Sequence, residues 1–247
     1  MFDAYTRRAR LYPAIIAAVP ALALAAILVS WSSLGLPHLI ATGAMGVLLV
    51  VFSDVARRRG RAIEPSLVAK MGGLPSTTMQ RYRDDTFDED TKVRMHKFLA
   101  GKIRTKAPSA GDEEKDPAAA DAFYKRCGDW LRENTRDTKK FKILFEENIT
   151  YGFRRNLLGL KWPALILNAA IVAICIFLLW QRLPINLDSD LTQKLFSVLV
   201  IAFLHAMYLA LFVTEAGVVE AAKQYGRQLL LSCETLKTDR TPAKKGT

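Results

Sequence analysis

Three stretches of this chain contain no Asp, Glu, Lys or Arg: Leu11 to Ser53, Trp162 to Gln181 and Leu195 to Thr214. In a sequence with 24% charged residues, gaps of this length dictate the surroundings of the helices they encode. About 20 mostly apolar residues in a helix cross the roughly 30 Å of bilayer hydrocarbon. The first gap is long enough for two such helices, and Ser33-Leu34-Gly35-Leu36-Pro37 supplies a turn near its middle. Spans are therefore predicted at 12–31, 37–56, 163–182 and 195–214. Core helices of a soluble protein of the same length would keep a charged edge. Arg7, Arg8 and Arg10 before an apolar run resemble a signal peptide, but this run continues through a turn into a second span, so it is expected to stay in the mature protein.

The basic residues predict orientation. Of the 35 Lys and Arg, only Arg182 and Lys194 lie between the third and fourth spans. The rest sit in the N-terminus, in 57–161 and after Thr214, and Arg57, Arg58, Arg59 and Arg61 directly follow span two. The positive-inside rule puts all three segments in the cytoplasm of a bacterial inner-membrane protein. The organisation is then 1–56 (tail and two spans), 57–161 (a cytoplasmic helical domain), 162–214 (two spans) and 215–247 (a helical extension and a disordered basic tail). The expected fold is all-α: four transmembrane helices with a small helical cytoplasmic domain.

Within 57–161 the signals are helical throughout. Glu64 to Met71 extends span two until Gly72-Gly73 stops it, and Pro75-Ser76-Thr77-Thr78 opens a short helix through Tyr82. Asp88 caps a helix carrying Val93 and Leu99. Residues 105–115 read as a polar loop, after which Asp116-Pro117 starts a helix with Phe123, Tyr124, Trp130 and Leu131 on one face. Another begins after Asp137-Thr138, with a stripe of Phe141, Leu144, Phe145, Ile149 and Phe153.

No nucleophile motif or glycine-rich phosphate loop is present, and the Cys and three His residues have no zinc-site spacing. Neither an enzyme nor a cofactor is expected. Cys127, Cys175 and Cys233 are expected to be reduced thiols. Polar residues inside spans are costly and are the better lead. Ser197, Ile201, His205, Tyr208, Phe212 and Glu215 follow helical spacing and would share one face of span four, ending in an acid. Asn168, Cys175 and Arg182 recur every seven residues on span three. Either face could pack against other spans, or the span-four face could line a pore closed between subunits of a homo-oligomer, since four spans are too few to enclose one. Basic residues beside aromatics form a second set: Arg81, Arg83, Lys139, Lys140, Lys142, Arg154 and Arg155. They suit phosphate contact with base stacking, or contact with membrane lipid.

Thr135-Arg136-Asp137-Thr138-Lys139-Lys140-Phe141, Phe145-Glu146-Glu147-Asn148, Arg83-Asp84-Asp85-Thr86 and Tyr151-Gly152-Phe153-Arg154-Arg155-Asn156-Leu157-Leu158-Gly159-Leu160-Lys161 resemble segments of uncharacterised bacterial multi-pass membrane proteins. In architecture and charge the chain also resembles the channel effectors of Hailong-type anti-phage systems. That resemblance implies a homotetrameric ion channel held closed by a short DNA oligomer and paired with a cytosolic nucleotidyltransferase. The rival expectation is a non-conducting, membrane-anchored scaffold that recruits a cytosolic protein.

Overall fold

The computed structural model describes residues 3–28 and 36–238, with the side chains of Leu28, Pro37 and His38 excepted. The turn expected at Ser33 to Gly35 and the tail beyond Thr238 lie outside the described residues. Those described are mostly helical, with no strand. The elements are α1 (Ala4–Thr6), a π-turn (Arg7–Leu11), α2 (Tyr12–Leu28), α3 (Leu36–Lys70), α4 (Pro75–Thr78), α5 (Glu89–Ile103), α6 (Ala110–Lys115), α7 (Pro117–Asn134), α8 (Lys142–Trp180), α9 (Asp190–Phe212) and α10 (Glu215–Thr238). Among the described residues, four helices are long and apolar enough to cross a membrane: the continuous helix from Ala4, α3, α8 and α9. The protein is thus compatible with a multi-pass membrane protein.

The chain divides into two compact units: Met1–Glu64 with Gly152–Val218, and Pro65–Tyr151 with Val219–Thr247. The boundaries fall inside α3, α8 and α10. The tail helix therefore belongs mostly to the second unit, and Arg154 and Arg155 belong to the first.

In the first unit the long helices meet where side chains vanish. A Cβ at Gly159 would lie 2.6 Å from the backbone nitrogen of Gly60, so α3 and α8 touch main chain to main chain. A Cβ at Gly60 would collide with the Asn156 side chain. Arg155 and Glu64 add an ion pair at 2.9 Å on the same two helices.

Pro13 and Pro20 interrupt the N-terminal helix chemically without ending it. Each lacks the N–H that a carbonyl four residues earlier would receive, which affects Ala9 and Ile16. Side chains from other helices supply both. Asn156 of α8 donates through Nδ2 to the Ala9 carbonyl at 2.7 Å. His205 of α9 places Nε2 2.9 Å from the Ile16 carbonyl. A carbonyl can only accept, so Nε2 carries the proton, and Nδ1 accepts from Asn168 Nδ2 at 3.0 Å. That Asn168 amide also donates to the Ala202 carbonyl at 2.8 Å.

The second unit packs Met95 and Leu99 of α5, Phe123, Tyr124 and Leu131 of α7, Leu144 of α8, and Leu229 and Leu230 of α10 into one core. Local signals set its helix ends. Asp88 Oδ1 accepts from Thr91 N at 2.8 Å, and Asp116 Oδ1 accepts from Ala119 N at 3.0 Å. Gly72 and Gly73 stop α3 with φ of 70° and 136°, values that glycine adopts without a side-chain clash. The polar loop expected at 105–115 contains α6 instead, begun by a reciprocal capping box between Ser109 and Asp112.

A polar knot lies within that core. Glu113 accepts from the Tyr124 hydroxyl at 2.7 Å and from Tyr82 N at 3.0 Å. Gln80 Nε2 donates to the carbonyls of Ser76 and Tyr124, and Lys92 Nζ to those of Tyr82 and Asp84. His96, 1% exposed, stacks on Tyr124 at 5.0 Å and meets Tyr82 and Phe123 edge-on. Burial pulls its pKa from 6.5 down to about 4. A depressed imidazole is fully stabilising above pH 6.5 and loses that contribution as pH falls toward 4. Over that interval the second unit should lose about 3 kcal/mol, read by hydrogen exchange of α5 and α7, and His96→Phe should flatten the slope.

Candidate functional site

Ser197, Ile201, His205, Tyr208 and Phe212 keep their helical spacing on α9, but Glu215 does not continue it. Buried positions on α9 are Thr192, Leu195, Val198, Ala202, His205 and Leu209. His205 therefore faces the helices of its own unit, where it holds the Ile16 carbonyl. Ser197 is exposed, its hydroxyl donating to the Gln193 carbonyl at 3.0 Å. Ile201 and Tyr208 are half-buried, and Phe212 is 70% exposed. Glu215 is exposed but lies on another helix, because Val213 leaves helical geometry with ψ of 91°. The spacing that linked Phe212 to Glu215 assumed an unbroken helix, and the break removes that register. On span three, Asn168 and Cys175 are buried, while Arg182 is exposed in the turn beyond α8.

Lys161 stabilises the break. It reaches from α8 and donates through Nζ to the carbonyls of Val213 at 3.0 Å and Ala210 at 3.3 Å. A cation there matches the negative end of the α9 dipole. Thr214 then opens α10, its Oγ1 accepting from Gly217 N at 3.2 Å. Arg154 donates to the Gly217 carbonyl at 2.9 Å. These groups surround a cavity of about 330 Å³ lined by Phe153, Arg154, Tyr208, Phe212 and Thr214 among others. Tyr208 and Phe212 stack along its wall at 6.1 Å. One expected ligand residue and two expected pore residues thus meet at the end of α9.

The other basic residues separate into three situations. Arg81 is engaged internally, donating twice to the Asp121 carboxylate at 2.8 and 2.7 Å and once to the Gly72 carbonyl at 2.9 Å. Arg155 is paired with Glu64, its side chain 12% exposed. Neither presents an open guanidinium to a ligand, and only Arg81 shares a unit with the lysines. Arg83, Lys139, Lys140 and Lys142 are exposed on the second unit. The lysines cluster at a turn organised by Asp137, which accepts from the N–H groups of Lys139 at 2.9 Å and Lys140 at 3.1 Å. Those bonds, Lys140's first, hold the Asp137 carboxyl below the usual carboxylate range. Lys140 lies 5.3 Å from the centre of the Phe141 ring.

Beside this turn is a cavity of about 360 Å³ whose walls include Arg132, Arg136, Thr138, Phe145, Asn148 and Tyr225. Tyr225 stacks flat against Tyr151 at 6.2 Å. Arg132 is paired with Asp129 at 2.6 Å and Arg136 with Glu133 at 2.7 Å, and Glu133 itself lines the hollow, so its wall combines ion-paired guanidinium groups, an amide and aromatic faces. Arg132 and Tyr225 were not singled out in the sequence, because α7, α8 and α10 converge here from distant positions. No group of His, Cys, Asp or Glu among the described residues could hold a metal ion.

The coupling of His205 to Pro20 is testable by a double-mutant cycle in detergent. His205→Phe strands the Ile16 carbonyl and should cost about 1–3 kcal/mol. Pro20→Ala restores a backbone N–H, and in that background the same substitution should cost less than half as much; additive effects would remove the link between the two residues. No family model, curated protein or solved structure matches this chain.

Proposed function

We propose that this protein is the pore-forming subunit of a homo-oligomeric ion channel in a bacterial inner membrane, gated by an oligonucleotide on the cytoplasmic side. The break between α9 and α10 is the observation that carries this reading. An exposed aromatic side chain, Phe212, stands immediately before it and an acid, Glu215, immediately after. Repeated around a symmetry axis, Phe212 would form an apolar constriction that closes by excluding water, and Glu215 an acidic ring favouring cations. The polar groups His205 and Asn168 already bond within one subunit, so permeation would run between subunits. The basic bias of the N-terminus, 57–161 and the tail supports a cytoplasmic second unit. In this reading the lysine turn and the adjacent cavity bind the oligonucleotide, and α10, which begins in the first unit and ends in the second, passes the bound state to the gate. The resemblance to Hailong-type effectors adds a tetramer, a nucleotidyltransferase partner and a role in anti-phage defence. The scaffold reading is favoured by the apolar outward side of α9, where Phe203, Leu204 and Leu211 are exposed as in a lipid-facing anchor.

Two measurements test the proposal. In liposomes Phe212→Ala should conduct without ligand control, and Glu215→Lys should shift the reversal potential toward anion selectivity. Absence of conductance in wild type and both variants supports the scaffold. A single-stranded oligonucleotide should bind the purified protein with log affinity falling by about 0.7 per phosphate for each unit of log salt. Replacing Lys139, Lys140 and Lys142 together by Gln should weaken binding and flatten that slope.

A further inference from the structure

A second hollow in the first unit, about 280 Å³, lies between the N-terminal helix and α3. Its lining is sorted by depth along the helices. Leu11, Leu49 and Val50 form the apolar part, while Thr6, Arg10, Ser53 and Arg57 form the polar part. Leu49 to Arg57 covers about 12 Å of α3, so the hollow runs from hydrocarbon-facing residues to the first charges after the span. The N-terminal helix runs the opposite way, entering its apolar stretch at Leu11, so the polar residues of both helices meet at one end.

The charges at that end are unbalanced. Asp54 also lines the hollow, but Arg58 pairs with it at 2.8 Å. Arg57 has no ion-pair partner among the described residues, and Arg10 lies over the Tyr5 ring at 5.6 Å, with Asp3 within its electrostatic reach. Two guanidinium groups on facing helices suit a phosphate, which each can bind through paired N–H groups. An apolar wall beneath them suits an acyl chain.

We propose that this hollow binds one anionic phospholipid, its phosphate between Arg10 and Arg57 and an acyl chain against Leu49 and Val50. A free phosphate would use the arginines but not the apolar wall. A zwitterionic lipid would carry its own cation against two more. The site ties the N-terminal helix to α3 at the membrane surface, and it stands whether or not the protein conducts ions.

The test is native mass spectrometry of the full chain released from detergent with phosphatidylglycerol or phosphatidylcholine. Phosphatidylglycerol should be retained preferentially. Arg57→Gln, at an exposed position that the fold does not need, should lower retention about fivefold, the effect of losing one cation at the lipid surface. Ser53→Trp, which fills the hollow and leaves every charge in place, should lower it similarly. Lys139→Gln with Lys142→Gln, removing twice the charge in the other unit, should leave it unchanged. Equal retention of the two lipids overturns the proposal. So does normal retention by Ser53→Trp, which would reduce the effect to diffuse surface attraction. Displacement of the lipid by millimolar inorganic phosphate would reassign the arginines to a simple anion and also overturn it.

Discussion

A carbonyl buried between packed helices has no water to fall back on, and the first unit is organised around that constraint. Pro13 and Pro20 each withhold one backbone donor within a single membrane-length helix. Asn156 and His205 replace them from two different helices, so each of the two local defects is repaired once, at a distance. These contacts also specify the arrangement. A purely apolar interface between helices tolerates rotation and sliding, whereas a side-chain donor aimed at one carbonyl fixes both register and facing. The glycine crossing of α3 and α8 acts in the same sense, since the missing side chains at Gly60 and Gly159 let the two main chains meet there.

The second unit solves the opposite problem, placing polar groups inside a core that is otherwise Leu, Phe and Met. Glu113, Gln80 and Lys92 are each held by defined partners, and the aromatic box of Tyr82, Phe123 and Tyr124 encloses a neutral His96. The basic character that seems uniform in the sequence is thereby divided. Arg81 and Arg155 stabilise their own units, Arg154 braces the start of α10, and the lysine turn at 139–142 keeps its charge facing outward. Net charge overstated the cations open to a ligand, because ion pairs such as Arg81–Asp121 join residues forty positions apart.

Legibility in the sequence followed the range of the interaction. The four apolar helices, the Asp88 and Asp116 caps and the Gly72-Gly73 stop are written in a few neighbouring residues, and the structure agrees with them. Helix α6 was equally local, but the Ser-x-x-Asp cap at Ser109 was read as loop chemistry. The end of α9 could not be read in this way. Val213 and Thr214 are unremarkable in helices, and the break depends on Lys161 arriving from α8 to bond the last carbonyls. His205 shows the same limit: its polarity marked it as important, but its role depends on Pro20, which lies 185 positions earlier in the chain.

The three thiols carry a practical consequence. Cys127, Cys175 and Cys233 are all buried, and burial pushes the Cys127 and Cys233 thiols up to about 12. The thiolate is the reactive form, so at neutral pH these two are chemically silent as well as inaccessible. The wild-type protein should therefore react with maleimides as though it had almost no cysteine. A reporter thiol can be introduced anywhere on its surface without first replacing the native ones, and the packing around α7 and α10 stays intact.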